Sequence, residues 1–543
     1  MAGLSGRSGG RLVFGQRSEP KTLNPLTALD APAREVLNRL HADLVHINRS
    51  TLKTEAALAK SYKISPDGSK FEIELRRGLK FSDGQPFDAD DVVFTFQVYL
   101  DPKVNAPQRS LWVIDGKAVT VRKLDAYRLS FELARGNAVA ERIFDSVPIL
   151  PRHLLEAAYR EGRIREVWGL RTPASQIAGL GPYRLKEYAP GQRVVLEKNP
   201  YYWKADADGT RLPYLSELVF TFAAGEDMQV MRFQSGESDT IARITPKDYT
   251  VLARDAERRG YTLQDAGASL DFSFLAFNLN EAAKQKPWAR VAFRKAVYEA
   301  IDRQAIVKLA YQGQAEPIAS PVGAGNRMWV NGALAKPVRS VEKARNMLAA
   351  DGFKWSRDGL LLDGSGSPVQ FSILASSTNP ERVQMATLIQ DDLKPLGIRA
   401  DVVQLEPLSL VDRVTKTRQF DTAIMAIGSP DADPNVDINF WLSKGTQHVW
   451  NAAQSAPATP WEAEIDRLMA EQMVTRQYAA RKKLFDRVQQ IAYDNAPAIP
   501  LVTTHLLVGA KKNLGNFHPA LLEPYTLWNA EELYWKSSGG NGK

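Results

Sequence analysis

Cysteine is absent from all 543 residues. That excludes a disulfide framework, a zinc–thiolate site and a thiol nucleophile. No run of about 18 apolar residues occurs, so no segment reads as a membrane-spanning helix. The opening residues 1–10, rich in Gly and Ser, lack the apolar core of a signal peptide and read as a flexible leader. Histidine is scarce, at six residues. His41 and His46 are five apart, a poor spacing for a shared metal, and no H-E-x-x-H pattern exists. A phosphate loop is missing. Gly323-Ala-Gly325 lacks the third glycine of a dinucleotide site. Gly6-Arg-Ser-Gly-Gly10 matches the G-x-S-x-G pattern but lies in the leader, without the strand and helix a nucleophile elbow needs. The net charge of +8 is spread along the chain, with no basic stripe interleaved with aromatics, so no nucleic-acid partner is expected. No catalytic residue, cofactor or metal is expected, and the chain does not read as an enzyme.

Hydrophobic residues make up 44% and charged residues 24%, the balance of a globular chain with a large core; at about 100–200 residues per domain the length implies three to four structural units. Arg11–Gly15 reads as a strand, and a helix-like stretch follows over 31–45. Phe71, Ile73 and Leu75 alternate with acids, as in a half-buried strand. Asp88-Ala-Asp-Asp91 opens a helix, and its acids are expected to cap that helix rather than hold a metal. Pro190-Gly191 marks the tip of a hairpin. Asn199-Pro-Tyr-Tyr-Trp203 is expected to be a packed corner. From 269 to 500 the pattern becomes α/β. Phe272, Phe274 and Ala276 line a strand, 290–303 and 341–350 are helices, and Pro380 starts a long helix that ends at Pro395 and Gly397. The strand 369–373, this helix and the strand 398–402 predict a right-handed parallel crossover. Thr422–Ile427 is a further buried strand, 465–492 is helical and 496–502 is extended.

Taken in order, several segments resemble the oligopeptide/dipeptide/nickel class of periplasmic solute-binding proteins of ABC importers, extracellular solute-binding protein family 5. They are Glu19-Pro-Lys-Thr-Leu-Asn-Pro25, Ile64-Ser-Pro-Asp-Gly68, Phe71-Glu-Ile-Glu-Leu-Arg76, Gly78-Leu-Lys-Phe-Ser-Asp-Gly-Gln-Pro86 with Asp90-Asp-Val-Val-Phe94, Gly179-Leu-Gly-Pro-Tyr183, Asn199-Pro-Tyr-Tyr-Trp203, Phe277-Asn278 and Ala300-Ile-Asp-Arg303. The resemblance implies an α/β, two-lobed periplasmic-binding-protein fold (class II-like) with an extra small α/β subdomain on lobe 1. Lobe 1 would be discontinuous, 11–54, 168–268 and 501–543, with the subdomain at 55–167 and lobe 2 at 269–500. It also implies a receptor, periplasmic or anchored to the cell envelope and monomeric, that captures a small ligand between its lobes by population shift toward closure and delivers it to ABC permease subunits. A peptide is the expected ligand. An oligosaccharide, opine or metal chelate is the alternative, and a cleft hydrolase is a distant one.

The ligand contacts expected on this basis are Leu23, Asn24 and Pro25 from lobe 1, and Asn278, Ser320, Pro321, Gly428, Ser429, Asp431 and Trp441 from lobe 2. In the family, the loop after the late strand carries an aspartate that holds the ligand's amino group. In Gly428-Ser-Pro-Asp-Ala-Asp-Pro434 that position falls on Pro430, with Asp431 one place on. The family's tryptophan before the loop is replaced by Ile427. Asp433 belongs to an Asp-Pro turn and is expected to be structural. If the ligand were an oligosaccharide, Trp329, Trp441 or Trp450 should line its site.

Overall fold

The structure is a computed structural model that describes residues 8–280 and 283–536. The leader's first seven residues lie outside the described residues. Gly9 N–H donates to Tyr214 O, and Gly10 O accepts from Ser216 N–H, so the end of the leader already extends the pairing of the strand Arg11–Gln16 with Glu217–Phe222. The chain forms two units, 1–265 with 507–543, and 266–506. It passes from the first to the second within the strand Tyr261–Ala268 and returns within the strand Val502–Lys511.

In the first unit a mixed sheet runs in the order Tyr183–Ala189, Arg193–Lys198, Glu217–Phe222, Arg11–Gln16, Thr240–Ala242, Val502–Lys511, Tyr261–Ala268. Arg11–Gln16 is parallel to Glu217–Phe222, and the first two strands form the hairpin expected at Pro190-Gly191. Gly191 has φ +68°, a conformation that suits glycine at a hairpin tip. Residues 55–167 contain a separate four-stranded antiparallel sheet, Ala59–Ile64, Lys70–Leu75, Arg128–Glu132 and Thr120–Asp125. The helix Ala89–Leu100 starts as expected. Asp90 N–H donates to Asp88 Oδ1 at 2.8 Å and Asp88 N–H donates to Asp91 Oδ2 at 3.1 Å, a reciprocal cap. Tyr202, Leu212 and Tyr214 pack together, so the aromatic cluster 199–203 is a corner, and Asn199 holds it by donating to Gly181 O at 2.8 Å.

The helix expected over 31–45 is shorter, Ala31–Leu40. Gly181 N–H donates to Leu40 O at 3.0 Å, which takes the carbonyl away from the next turn. Val45–Ile47 then runs as a strand against Thr54–Ala56.

In the second unit a five-stranded sheet has the order Arg399–Leu405, Gln370–Ser376, Thr422–Ile427, Phe272–Phe277, Ala498–Pro500. Gln370–Ser376 and Arg399–Leu405 are parallel and joined by the helix Pro380–Leu393, the expected crossover. Phe272–Phe277 is buried along its whole length because helices cover both of its faces. Two expected helices are each divided. Residues 290–303 contain Val291–Ala300 and the start of Arg303–Leu309, since Asp302 caps a new helix by accepting from Ala305 N–H at 2.9 Å. Residues 465–492 fall in Pro460–Val474 and Tyr478–Asn495. At that break Gln472 O accepts from Arg481 Nε–H at 3.0 Å instead of continuing the helix.

Candidate functional site

The loop after Thr422–Ile427 is built by strand register. Phe272 pairs with Ile427 in an antiparallel ladder, so Asp271 and Gly428 leave the sheet side by side. A Cβ added at Gly428 would lie 3.5 Å from Asp271 Oδ1. Ser429 Oγ donates to Asp437 Oδ2 at 2.8 Å. Asp431 is 8% exposed, and its Oδ1 accepts from Ala432 N–H at 2.6 Å. Asn326 donates to Ala432 O at 2.8 Å and pins the loop from outside.

Three carboxylates, Asp271, Asp431 and Asp437, thus share one neighbourhood. Burial, opposed by the Ser429 hydrogen bond and aided by the charges of Asp271 and Asp431, pushes Asp437 up to about 7. A cation placed there would relieve this repulsion. Among the described residues no group of three or more His, Asp and Glu side chains converges closely enough to hold a metal ion. A hydrogen-bonding ammonium is the cation whose chemistry such a loop suits.

Of the ten residues expected to touch ligand, Gly428, Ser429 and Asp431 come together in this loop. Asp271 and Asp437 join them and were not singled out from the sequence. The remaining side chains are taken up inside their own units. Leu23 and Pro25 are buried, and Asn24 donates to Ile164 O at 2.8 Å and Val167 O at 3.0 Å while accepting from Leu26 N–H. Asn278 donates to Arg418 O and Phe420 O and accepts from Asn280, so it ties loop backbone. Ser320 is buried and donates to Gln489 Oε1 at 2.8 Å, and Pro321 beside it is buried. Trp441 is 1% exposed between Phe440 and Phe485. Trp329 and Trp450 are core residues as well, the first against Tyr478 and the second against Phe440. None of the three tryptophans expected to stack on an oligosaccharide presents a face to solvent.

The profile of bacterial extracellular solute-binding proteins, family 5, middle region, matches residues 53–448. The chain belongs to this family. It is 26% identical over 508 residues to a probable ABC transporter-binding protein of Deinococcus radiodurans, covering 89% of this chain and 84% of that one. It is 25% identical over 523 residues to the oligopeptide-binding protein AppA of Bacillus subtilis, covering 94% and 90%. The solved structure of AppA in complex with a nonapeptide superposes with a TM-score of 0.70 at 23% identity, covering 98% of this chain and all of that one. The two-lobed α/β fold of this family is therefore the fold of the chain. Family 5 consists of solute-binding receptors. Among the described residues no helix is long and apolar enough to cross a membrane.

Proposed function

We propose that this family 5 protein is a receptor that captures a peptide by its amino terminus and hands it to an ABC permease. The observation that carries the reading is the group of carboxylates around Asp437, whose mutual repulsion a peptide's ammonium would relieve. In this reading Asp431 and Asp437 together do the work of the family's aspartate, whose aligned position is Pro430. The likeness to AppA over nearly the whole chain supports a peptide over the other solutes considered. The burial of Trp329, Trp441 and Trp450 weighs against stacked sugar rings. The protein would act outside the cytoplasm as a monomer and without covalent chemistry. Its two lobes, crossed by the chain near 268 and 500 and carrying a subdomain at 55–167, would close around the ligand.

The test is native mass spectrometry of protein purified under mild conditions, followed by denaturation and identification of released molecules. Masses spaced by amino-acid residues support the reading. A single non-peptide mass overturns the peptide and keeps the receptor. Protein that emerges empty is then titrated with a mixed tripeptide pool, and failure to retain any member also overturns it.

A further inference from the structure

The break between the helices Pro460–Val474 and Tyr478–Asn495 leaves large apolar side chains in solvent on the second unit. Val474 closes the first helix at 39% exposure, and Tyr478 opens the second at 46%. Arg481 Nε–H donates to Gln472 O at 3.0 Å, which holds the two helix ends together. The Tyr478 hydroxyl donates to Met328 O at 2.6 Å and so brings Met328, itself 39% exposed, beside it. Trp329 is buried and meets Tyr478 edge-on, with ring centres 5.2 Å apart. Single exposed hydrophobic residues need no explanation. A group of them on a fixed base marks a surface that a partner covers.

The rim of this patch is cationic. Arg327, next to Met328, is exposed, and its guanidinium has no partner among the described residues. Arg476 stands between Val474 and Tyr478, and Lys482 follows one turn after Tyr478. The acids nearest in the chain are already taken, Glu471 by Arg467 at 2.9 Å and Asp486 by Lys482. The first turn of the helix Tyr478–Asn495 carries no acid, although that end of a helix favours one. Tyrosine, methionine and arginine are the residues in which protein interfaces are rich. An apolar centre rimmed by cations fits a protein surface that sets carboxylates around an apolar side chain. The patch is also tied to the candidate ligand loop at two points. Asn326, next to Arg327, donates to Ala432 O at 2.8 Å, and Arg481, three residues after Tyr478, holds Asp433 with two hydrogen bonds.

We propose that Met328, Val474 and Tyr478, with Arg327 at their rim, form the surface on which an ABC permease subunit docks, through a segment that carries carboxylates beside an apolar side chain. This rests on the receptor function proposed for the chain. A permease has to tell a loaded receptor from an empty one, and this surface is bonded to the loop that would hold the ligand. A second copy of the chain fits it less well. In a two-fold contact the same patch faces itself, so the arginines of the two copies would oppose each other.

The experiment is photo-crosslinking of the full chain carrying Tyr478→p-benzoylphenylalanine. It is mixed with a tripeptide pool and membrane vesicles of its own organism, irradiated, and the adducts are identified by mass spectrometry. An adduct with an ABC permease subunit is expected. Adding Arg327→Glu to the same chain is expected to cut its yield at least about tenfold, because like charges then face each other. Leu124→p-benzoylphenylalanine, 51% exposed on the subdomain sheet, is expected to give no such adduct. Native mass spectrometry should show Arg327→Glu retaining peptide as the parent does, which separates docking from ligand binding. The proposal is overturned by adducts only with lipid, with a second copy or with proteins other than a permease, and by no adduct at all. Undiminished yield in Arg327→Glu, loss of peptide in that variant, or equal yield from position 124 overturns it too. A permease adduct from a chain that retains no peptide keeps the docking surface and overturns the peptide reading alone.

Discussion

Asp433 and Arg481, 48 positions apart, form a two-armed ion pair inside the second unit, with Nη1 donating to Oδ2 at 2.8 Å and Nη2 to Oδ1 at 3.0 Å. Both side chains are almost fully buried, at 6% and 3% exposure. Arg481 also donates to Gln472, so the pair binds the candidate ligand loop to the break between two helices. Removing one partner leaves a buried charge alone, which costs about 3–5 kcal/mol. Asp433→Asn is expected to lower the melting temperature by roughly 10 °C, read by differential scanning calorimetry. Replacing both partners with apolar residues should recover most of that loss, because desolvation offsets much of what the pair contributes.

Asp437 in the same loop is expected to behave in the opposite way. Its carboxyl sits at about 7 instead of 3.8, so the folded chain binds a proton that the unfolded chain gives up. Such a group favours folding at low pH, and that contribution is lost as pH rises toward 7. Asp437→Asn should therefore match the parent only below pH 3.8 and exceed it in stability by a margin that grows as pH rises toward 7. Peptide affinity should fall about tenfold to a hundredfold, the worth of one charge-assisted hydrogen bond. In the parent, affinity should rise from pH 5 to pH 8 as Asp437 ionises, and the variant should lose that slope. Calorimetric titration at several pH values measures all three.

Much of the secondary structure was legible because its signals are local. The Asp88 cap, the Pro190-Gly191 hairpin, the helix starting at Pro380 and the crossover around it all depend on residues within one element or its neighbour. What was missed depends on partners far along the chain. The helix starting at Ala31 stops because Gly181 takes the Leu40 carbonyl, and nothing in residues 31–45 announces that. Asn24 and Asn278 lie beside loops, as ligand-facing residues do, yet each side chain ties backbone that is 140 or more positions away. Asp271 and Asp437 escaped notice because only the pairing of Phe272–Phe277 with Thr422–Ile427 brings the first beside the loop. Asp431 was singled out from the sequence because the family places an acid nearby. The signal that would have found Asp271 is its place directly before a fully apolar strand, where a charged residue must leave the sheet.

His41 supplies a second pH dependence, of opposite sign. It is buried, stacks on Trp168 at 5.6 Å between ring centres, and is held at about 4. The unfolded chain takes up a proton near 6.5 that the folded chain refuses. The stability this provides is complete above pH 6.5 and is lost as pH falls toward 4. Nitrogen-detected imidazole spectra should show one of the six histidines still neutral at pH 5 while exposed ones are charged. A full set of charged imidazoles in the folded protein at pH 5 would contradict this environment.

Two glycines separate a packing requirement from a conformational one. Gly181 lies against the end of the helix Ala31–Leu40, and a Cβ there would fall 2.4 Å from Arg39 O and 2.7 Å from Leu40 C. Both obstacles are backbone, so the helix end itself must move. Overpacking of that kind costs about 1–3 kcal/mol. Gly191 has open space around it and only its positive φ to defend, which costs an alanine about 1 kcal/mol. Gly181→Ala should therefore lower stability more than Gly191→Ala in urea unfolding. It should also disturb the cavity lined by Arg39 and His41, which Gly191→Ala leaves intact. Equal losses in the two variants would mean that the helix end yields easily to a Cβ at position 181.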